Sequence, residues 1–222
     1  MKKIKLIKNI ILFSCLITGF TACDFLERSD PDKLNKKDFY KTEDDMYQAL
    51  NAAYDGLKTN YYNNMYYWTE IRSDNTTLAS KTANSGIYND FDVYNLTSSN
   101  AEVQRAWYGM FTCIYRSNVV LDYIDAVPMS DEKKSQYKAE ARFLRALSYY
   151  NLSQLFGYVP IVDKQLNSEA EVLKYGRRPI AEVYDFIVKD LEFVTQSQLP
   201  DNWGFDGNNP NLGRASKTAG YA

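Results

Sequence analysis

Between Ser130 and Gly157 a single helix-length segment carries two apolar stripes at once. Tyr137, Ala141 and Leu144 fall on one face, while Ala139, Phe143, Ala146, Leu147 and Tyr150 fall on another. A helix of this kind has to be covered on both sides, as in stacked helical pairs, because either stripe left bare would face water. Its ends are marked by Ser130 with Asp131 and Glu132 as N-cap and acidic first turn, and by Gly157 and Pro160 as the stop.

Other segments supply the cover. Thr42 followed by Glu43, Asp44 and Asp45 starts a helix expected over about 43–58, with Met46, Leu50, Ala53, Tyr54 and Leu57 at helical spacing. Ser99 and Glu102 read as a capping box that opens a helix striped by Val103, Trp107, Met110, Ile114, Leu121 and Ile124, stopping near Val127 and Pro128. Pro179 starts a further helix with Ile180, Val183, Tyr184, Ile187, Leu191 and Val194 on its face. Residues 213–222 begin one more. No strand-like alternation of useful length appears, so the expected class is all-α, with long antiparallel helices and an elaborated loop between the first two.

That loop, residues 61–98, is aromatic and amide-rich and too long to be mere connection, a length usual for functional loops. A short helix is expected inside it at about 66–72. Tyr40, Tyr47, Tyr54 and Tyr61 recur seven apart, a spacing that reads first as one packed face.

Composition narrows the chemistry. The chain has 222 residues and no His, which removes Ser-His-Asp triads, Cys-His pairs and His-ligated metal sites. Lys2, Lys3, Lys5 and Lys8 precede an apolar stretch over 10–20, the form of a secretory leader covering residues 1–22. With those four lysines set aside, 22 basic residues face 28 acidic ones, the wrong sign for a nucleic-acid binder. Thr21, Ala22, Cys23 and Asp24 resemble a bacterial lipobox, with Phe20 where Leu is usual. Cys23 is therefore the expected lipidation site, since acyl chains at about 0.8 kcal/mol per buried methylene anchor a protein nearly irreversibly. Residues 23–41, charged and containing Pro31, are expected to be the lipidated start and tether, and 42–222 the helical domain. Cys15 leaves with the leader, so only Cys113 remains and no intramolecular disulfide is expected.

From Cys23 onward the chain resembles the SusD/RagB family of nutrient-binding outer-membrane lipoproteins of Bacteroidota. The resemblance is carried by the segment 23–27 with Pro31, by Phe39, Tyr40, Ala52, Ala53 and Tyr54, and by Trp107, Ile114, Asn118 and Ile124. It is strongest over 139–147 with Tyr149, Tyr150, Phe156, Gly157 and Pro160, and it continues through Val183, Tyr184, Asp190, Leu191 and 213–217. It implies a tetratricopeptide-like scaffold, lipid-anchored on the extracellular face of the outer membrane. It also implies service as the lid of a SusC-like TonB-dependent barrel transporter, carrying oligosaccharide or, in some members, peptide. Family members are longer, so a C-terminally truncated member is the expectation. No catalytic residue, metal or other cofactor is expected.

Sugar binding needs rings against pyranose faces and amide, carboxylate or guanidinium groups against hydroxyls. The candidates by composition and loop position are Asp74, Asn75, Asn84, Tyr88 and Phe91, with Trp68 as a stacking ring. Residues 89–95 hint at calcium, but the EF-hand pattern fails at Tyr94 and Asn95. A glycosidase would need paired carboxylates such as Glu70 and Asp74, which a solvated helix edge explains with fewer assumptions. A helical adaptor for a protein partner remains an alternative. Arg142 and Arg145 are expected to be structural, paired with Glu140 or Glu132.

Overall fold

The computed structural model describes residues 39–63, 65–79, 86–204, 207, 209 and 211–222, and Tyr40–Ala222 forms one compact unit. The leader, Cys23 and Asn84 lie outside the described residues.

Helix α1, Glu43–Asp55, begins as its sequence predicts: Thr42 Oγ1 accepts from Asp45 N–H, and the Asp45 carboxylate accepts from Thr42 N–H. It stops at Gly56, short of the expected 58. A Cβ there would sit 2.9 Å from the Cys113 backbone, so the missing side chain lets α1 close against the next long helix. A second helix, α2, resumes at once over Lys58–Asn63. The loop holds a single π turn, Tyr67–Ile71, and a helix the sequence reading missed, α3, Gly86–Asp92.

Helix α4, Ala101–Tyr123, is capped one residue later than expected. The cap is Asn100, whose Oδ1 accepts from Glu102 and Val103 while its Nδ2 donates to Ile87 O and Asp90. Asn caps as well as Ser does, and these tertiary bonds decide between the neighbours. Glu102, freed from the capping box, pairs with Arg105 at 2.8 Å. Helix α5, Asp131–Phe156, has Ser130 as N-cap and ends at Gly157 with φ 68°, the left-handed stop that favours glycine. A short α6, Glu169–Val172, precedes α7, Ile180–Thr195, and α8, Lys217–Tyr221, closes the described chain.

As expected, α5 is covered on both sides, although Tyr150 of the expected second stripe is 47% exposed and Tyr149 packs inward in its place. The helix packs against α4 on one side and α7 on another, and α1 lies on α4. Leu144 and Ala141 join Met46, Leu50 and Cys113, while Ala146, Tyr149 and Leu152 join Met110, Ile114, Val183 and Ile187. Ala139 meets Val194 and Leu199 in a third cluster. The tyrosine ladder is packed only in part: Tyr40, stacked on Tyr123 at 4.7 Å, and Tyr54 lie against the α1 cluster, whereas Tyr47 and Tyr61 are exposed, Tyr61 accepting a hydrogen bond from Asn151. Tyr54 donates to Glu140 at 2.5 Å. Cys113 is free and fully buried, and burial pushes its thiol pKa up.

Arg142 and Arg145 are structural, with a different partner from the one expected. Both reach Asp190 of α7, Arg145 through Nε at 2.7 Å and Nη2 at 2.8 Å, and Arg142 at 3.2 Å. Glu140 points the other way and takes Arg214 at 2.9 Å. Arg145 also donates to Asn118 and to Asp163 O, and Asn118 in turn donates to Val162 O and Lys164 O. This network clamps the strap that follows α5. Arg178 N–H then donates to Val159 O at 2.9 Å, closing the strap into a loop that ends beside Phe156.

Candidate functional site

The long loop is anchored by driving aromatic side chains into the core. Trp68 and Ile71 from the π turn and Phe91 from α3 share one buried cluster with α4, α5 and α7. The rings interlock: Trp68 meets Phe91 edge-on at 5.0 Å and lies 6.0 Å from Phe156, which meets Trp107 edge-on at 5.1 Å. Trp68, Phe156 and Trp107 thus form a continuous aromatic wall joining loop, α5 and α4.

That wall lines a cavity of about 490 Å³, whose rim carries Arg72, Gln104, Tyr108 and Arg177. A second cavity of about 590 Å³ adjoins it and shares Trp68, Arg72 and Leu155; Tyr94, Tyr150, Asn151 and Gln154 line its far side. Together they make a groove with rings on its walls and amides, hydroxyls and two guanidinium groups between them. Tyr108 is 68% exposed and Tyr94 60%, so large apolar rings stand in solvent at both ends of the groove. The Trp68 side chain is only 8% exposed, and its indole N–H has no acceptor among the described residues.

Tyr94 stands there at a backbone cost. It ends α3 with φ 56°, and Asn95 N–H donates to Asp90 O while Tyr94 N–H donates to Phe91 O. These two bonds form a Schellman motif, whose left-handed position usually belongs to glycine. A tyrosine in that position costs about 1 kcal/mol relative to glycine. Its hydroxyl donates to Arg72 O, tying the end of α3 to the π turn. On the outer side of the same loop Tyr67 stacks on Tyr88 at 4.3 Å, and burial with Tyr88 beside it pushes the Tyr67 phenol up to about 12.

The structure sorts the six ligand contacts expected from sequence. Trp68 belongs to both cavities. Phe91 is corrected: it is 0% exposed, buried beneath Trp68, and has no face for a ligand. Tyr88 spends its ring on Tyr67. Asp74 and Asn75 are exposed and line neither cavity, and Asn84 lies outside the described residues. Asp90 and Asp92, in the segment that hinted at calcium, are engaged by Asn100 and by Thr77 with Leu78 N–H. Sequence reasoning missed Arg72, Tyr94, Tyr108, Tyr150 and Arg177. The one available signal was Tyr108 beside Trp107, a large ring just outside the apolar stripe of α4.

The chain from residue 24 to 222 matches the family described as starch-binding and associating with the outer membrane, the SusD-like family. It belongs to that family. SusD-like protein P38 of Formosa agariphila is 29% identical over 194 residues, covering 86% of this chain and 37% of the relative. Among solved structures, a laminarin-binding SusD-like protein is 25% identical with a TM-score of 0.72, over 82% of this chain and 38% of that one. Surface glycan-binding protein A of Bacteroides uniformis is 26% identical with a TM-score of 0.70, over 81% and 40%. The all-α, SusD-like scaffold expected from sequence is therefore the fold. This SusD-like chain spans well under half the length of the curated relatives it matches.

Proposed function

We propose that this SusD-like chain is a nutrient-binding lipoprotein, held at the extracellular face of the outer membrane by acyl chains on Cys23. In this reading it presents oligosaccharide to a TonB-dependent barrel transporter as the lid over that barrel. It acts by binding and has no catalytic role. The observation that carries glycan binding is the groove around Trp68: two adjoining cavities, walled by rings and edged by amides and hydroxyls. Rings cover the apolar faces of pyranoses, and the polar edges meet hydroxyls that would otherwise lose their hydrogen bonds at about 1–3 kcal/mol each. The family description and the glycan-binding names of two structural neighbours support the same reading. The leader and the Thr21-Ala22-Cys23 junction support the anchor.

The test is a native pull-down. The chain is tagged at its C-terminus, outer membranes are solubilised in mild detergent, and stoichiometric partners are identified by mass spectrometry. A large TonB-dependent barrel, together with diacylglycerol mass on Cys23, is the expected result. Recovery without a barrel removes the transporter-lid role, and an unmodified Cys23 removes the anchor.

A further inference from the structure

We propose that the groove is selective for an anionic glycan, with Arg72 and Arg177 pairing with carboxylate or sulfate groups carried on the sugar chain. This deepens the glycan-binding reading and rests on it. Eight arginines fall among the described residues, and six of them, Arg105, Arg116, Arg142, Arg145, Arg178 and Arg214, are in ion pairs with carboxylates of this chain. The two left over are Arg72 and Arg177, and both line the cavity of about 490 Å³.

Among the described residues, no Asp or Glu lines either half of the groove. Glu102, at the start of α4, is buried and bound to Arg105. The neighbouring cavity along the strap is different, for Lys174, Arg178 and Lys189 there share their surroundings with Asp163, Glu182 and Asp185. A chain with more acidic than basic residues thus leaves two guanidinium groups uncompensated in one ring-walled site. The planar fork of arginine suits bidentate pairing with carboxylate or sulfate, and beside apolar rings such a pair is less screened than in open water. Arg72 also lines the adjoining cavity, so an oligosaccharide lying across both halves keeps one charged residue within its reach.

The test is isothermal titration of the purified full chain in detergent with four probes: hexagalacturonate, its methyl ester, a κ-carrageenan hexasaccharide and laminarihexaose. Expected is binding of a charged probe about tenfold or more tighter than of the methyl ester, weakening with added salt. Arg72→Gln and Arg177→Gln each lower that affinity about tenfold, as loss of a charge-assisted contact does, while Lys133→Gln, on the far surface pair with Glu43, leaves it unchanged. Preference for hexagalacturonate assigns the partner group as carboxylate, and preference for carrageenan as sulfate. Equal binding of acid and ester, tighter binding of laminarihexaose that ignores Arg72→Gln, or an equal loss in Lys133→Gln overturns the charge selectivity and leaves glycan binding standing. A folded chain that binds none of the four overturns both.

Discussion

The network around Arg145 and the groove beside Trp68 lie about 15 Å apart along α5 and treat the same side chain in opposite ways. At Arg145 the side chain is 6% exposed and its guanidinium donates four hydrogen bonds, two to Asp190, one to Asn118 and one to a backbone carbonyl. At the groove, Arg72 and Arg177 have no carboxylate partner among the described residues. The difference follows from solvent. A buried charge without a partner costs several kcal/mol, so the fold supplies one; a guanidinium at a groove rim stays hydrated until something replaces the water. The same holds for rings, since Phe91 and Tyr149 are covered by the fold while Tyr94 and Tyr108 are left to solvent. The Arg145 network is completed by the fold, whereas the groove presents groups that a bound ligand would complete.

The largest effect comes from breaking the completed side. Asp190→Ala strands two guanidinium groups, one of them buried, and should cost about 3–5 kcal/mol in urea unfolding. A loss below 1 kcal/mol would mean that the network is ornamental and the contrast false. Tyr54→Phe removes one hydroxyl that donates to Glu140 and accepts from Ala215 N–H, for an expected loss of about 1–3 kcal/mol. Burial, with Glu140 beside it, raises the Tyr54 phenol above its ordinary value. A raised pKa makes this stabilisation complete below about pH 10, the ordinary phenol range, and lost as pH rises towards the folded value. Above pH 10 the wild type should therefore lose stability more steeply than Tyr54→Phe, and parallel curves would show that Tyr54 is not the group.

On the incomplete side the effects on stability shrink and those on binding grow. Tyr94→Gly removes the left-handed penalty and a hydroxyl bond together, so unfolding should shift by no more than about 1 kcal/mol while glycan affinity falls. A large destabilisation with intact binding would make Tyr94 a structural strut. Asp74→Ala, at an exposed position outside both cavities, should change stability by less than about 0.5 kcal/mol and leave binding untouched. A loss of binding there would move the site outward to the edge the sequence first suggested.

How legible each side was follows the same division. The stripes of α5, the cap at Thr42 and the stop at Gly157 depend on residues a few positions apart, and local spacing reveals them. The Asp190 partner lies 45 residues beyond Arg145 and is selected by how α7 docks, so nearby Glu140 looked equally good until Arg214 claimed it. Composition located an aromatic loop but not which rings turn inward; Trp68 is on the groove wall and Phe91 is underneath it. Arg72 and Arg177 carry no local signal at all, because they stand out only once the other six arginines among the described residues have been paired. Tyr94 is hidden for a different reason, since nothing in its neighbours announces that it will occupy a glycine's place.

Hydrogen–deuterium exchange of the full chain with and without a bound oligosaccharide tests the central claim most directly, using hexagalacturonate and laminarihexaose in turn. The account predicts slower exchange in peptides covering 65–73, 94–98, 104–108 and 150–156, with 131–146 and 185–195 unchanged. Protection centred instead on the cavity between Tyr54, Phe143 and Arg214, or spread evenly along the helices, would contradict it.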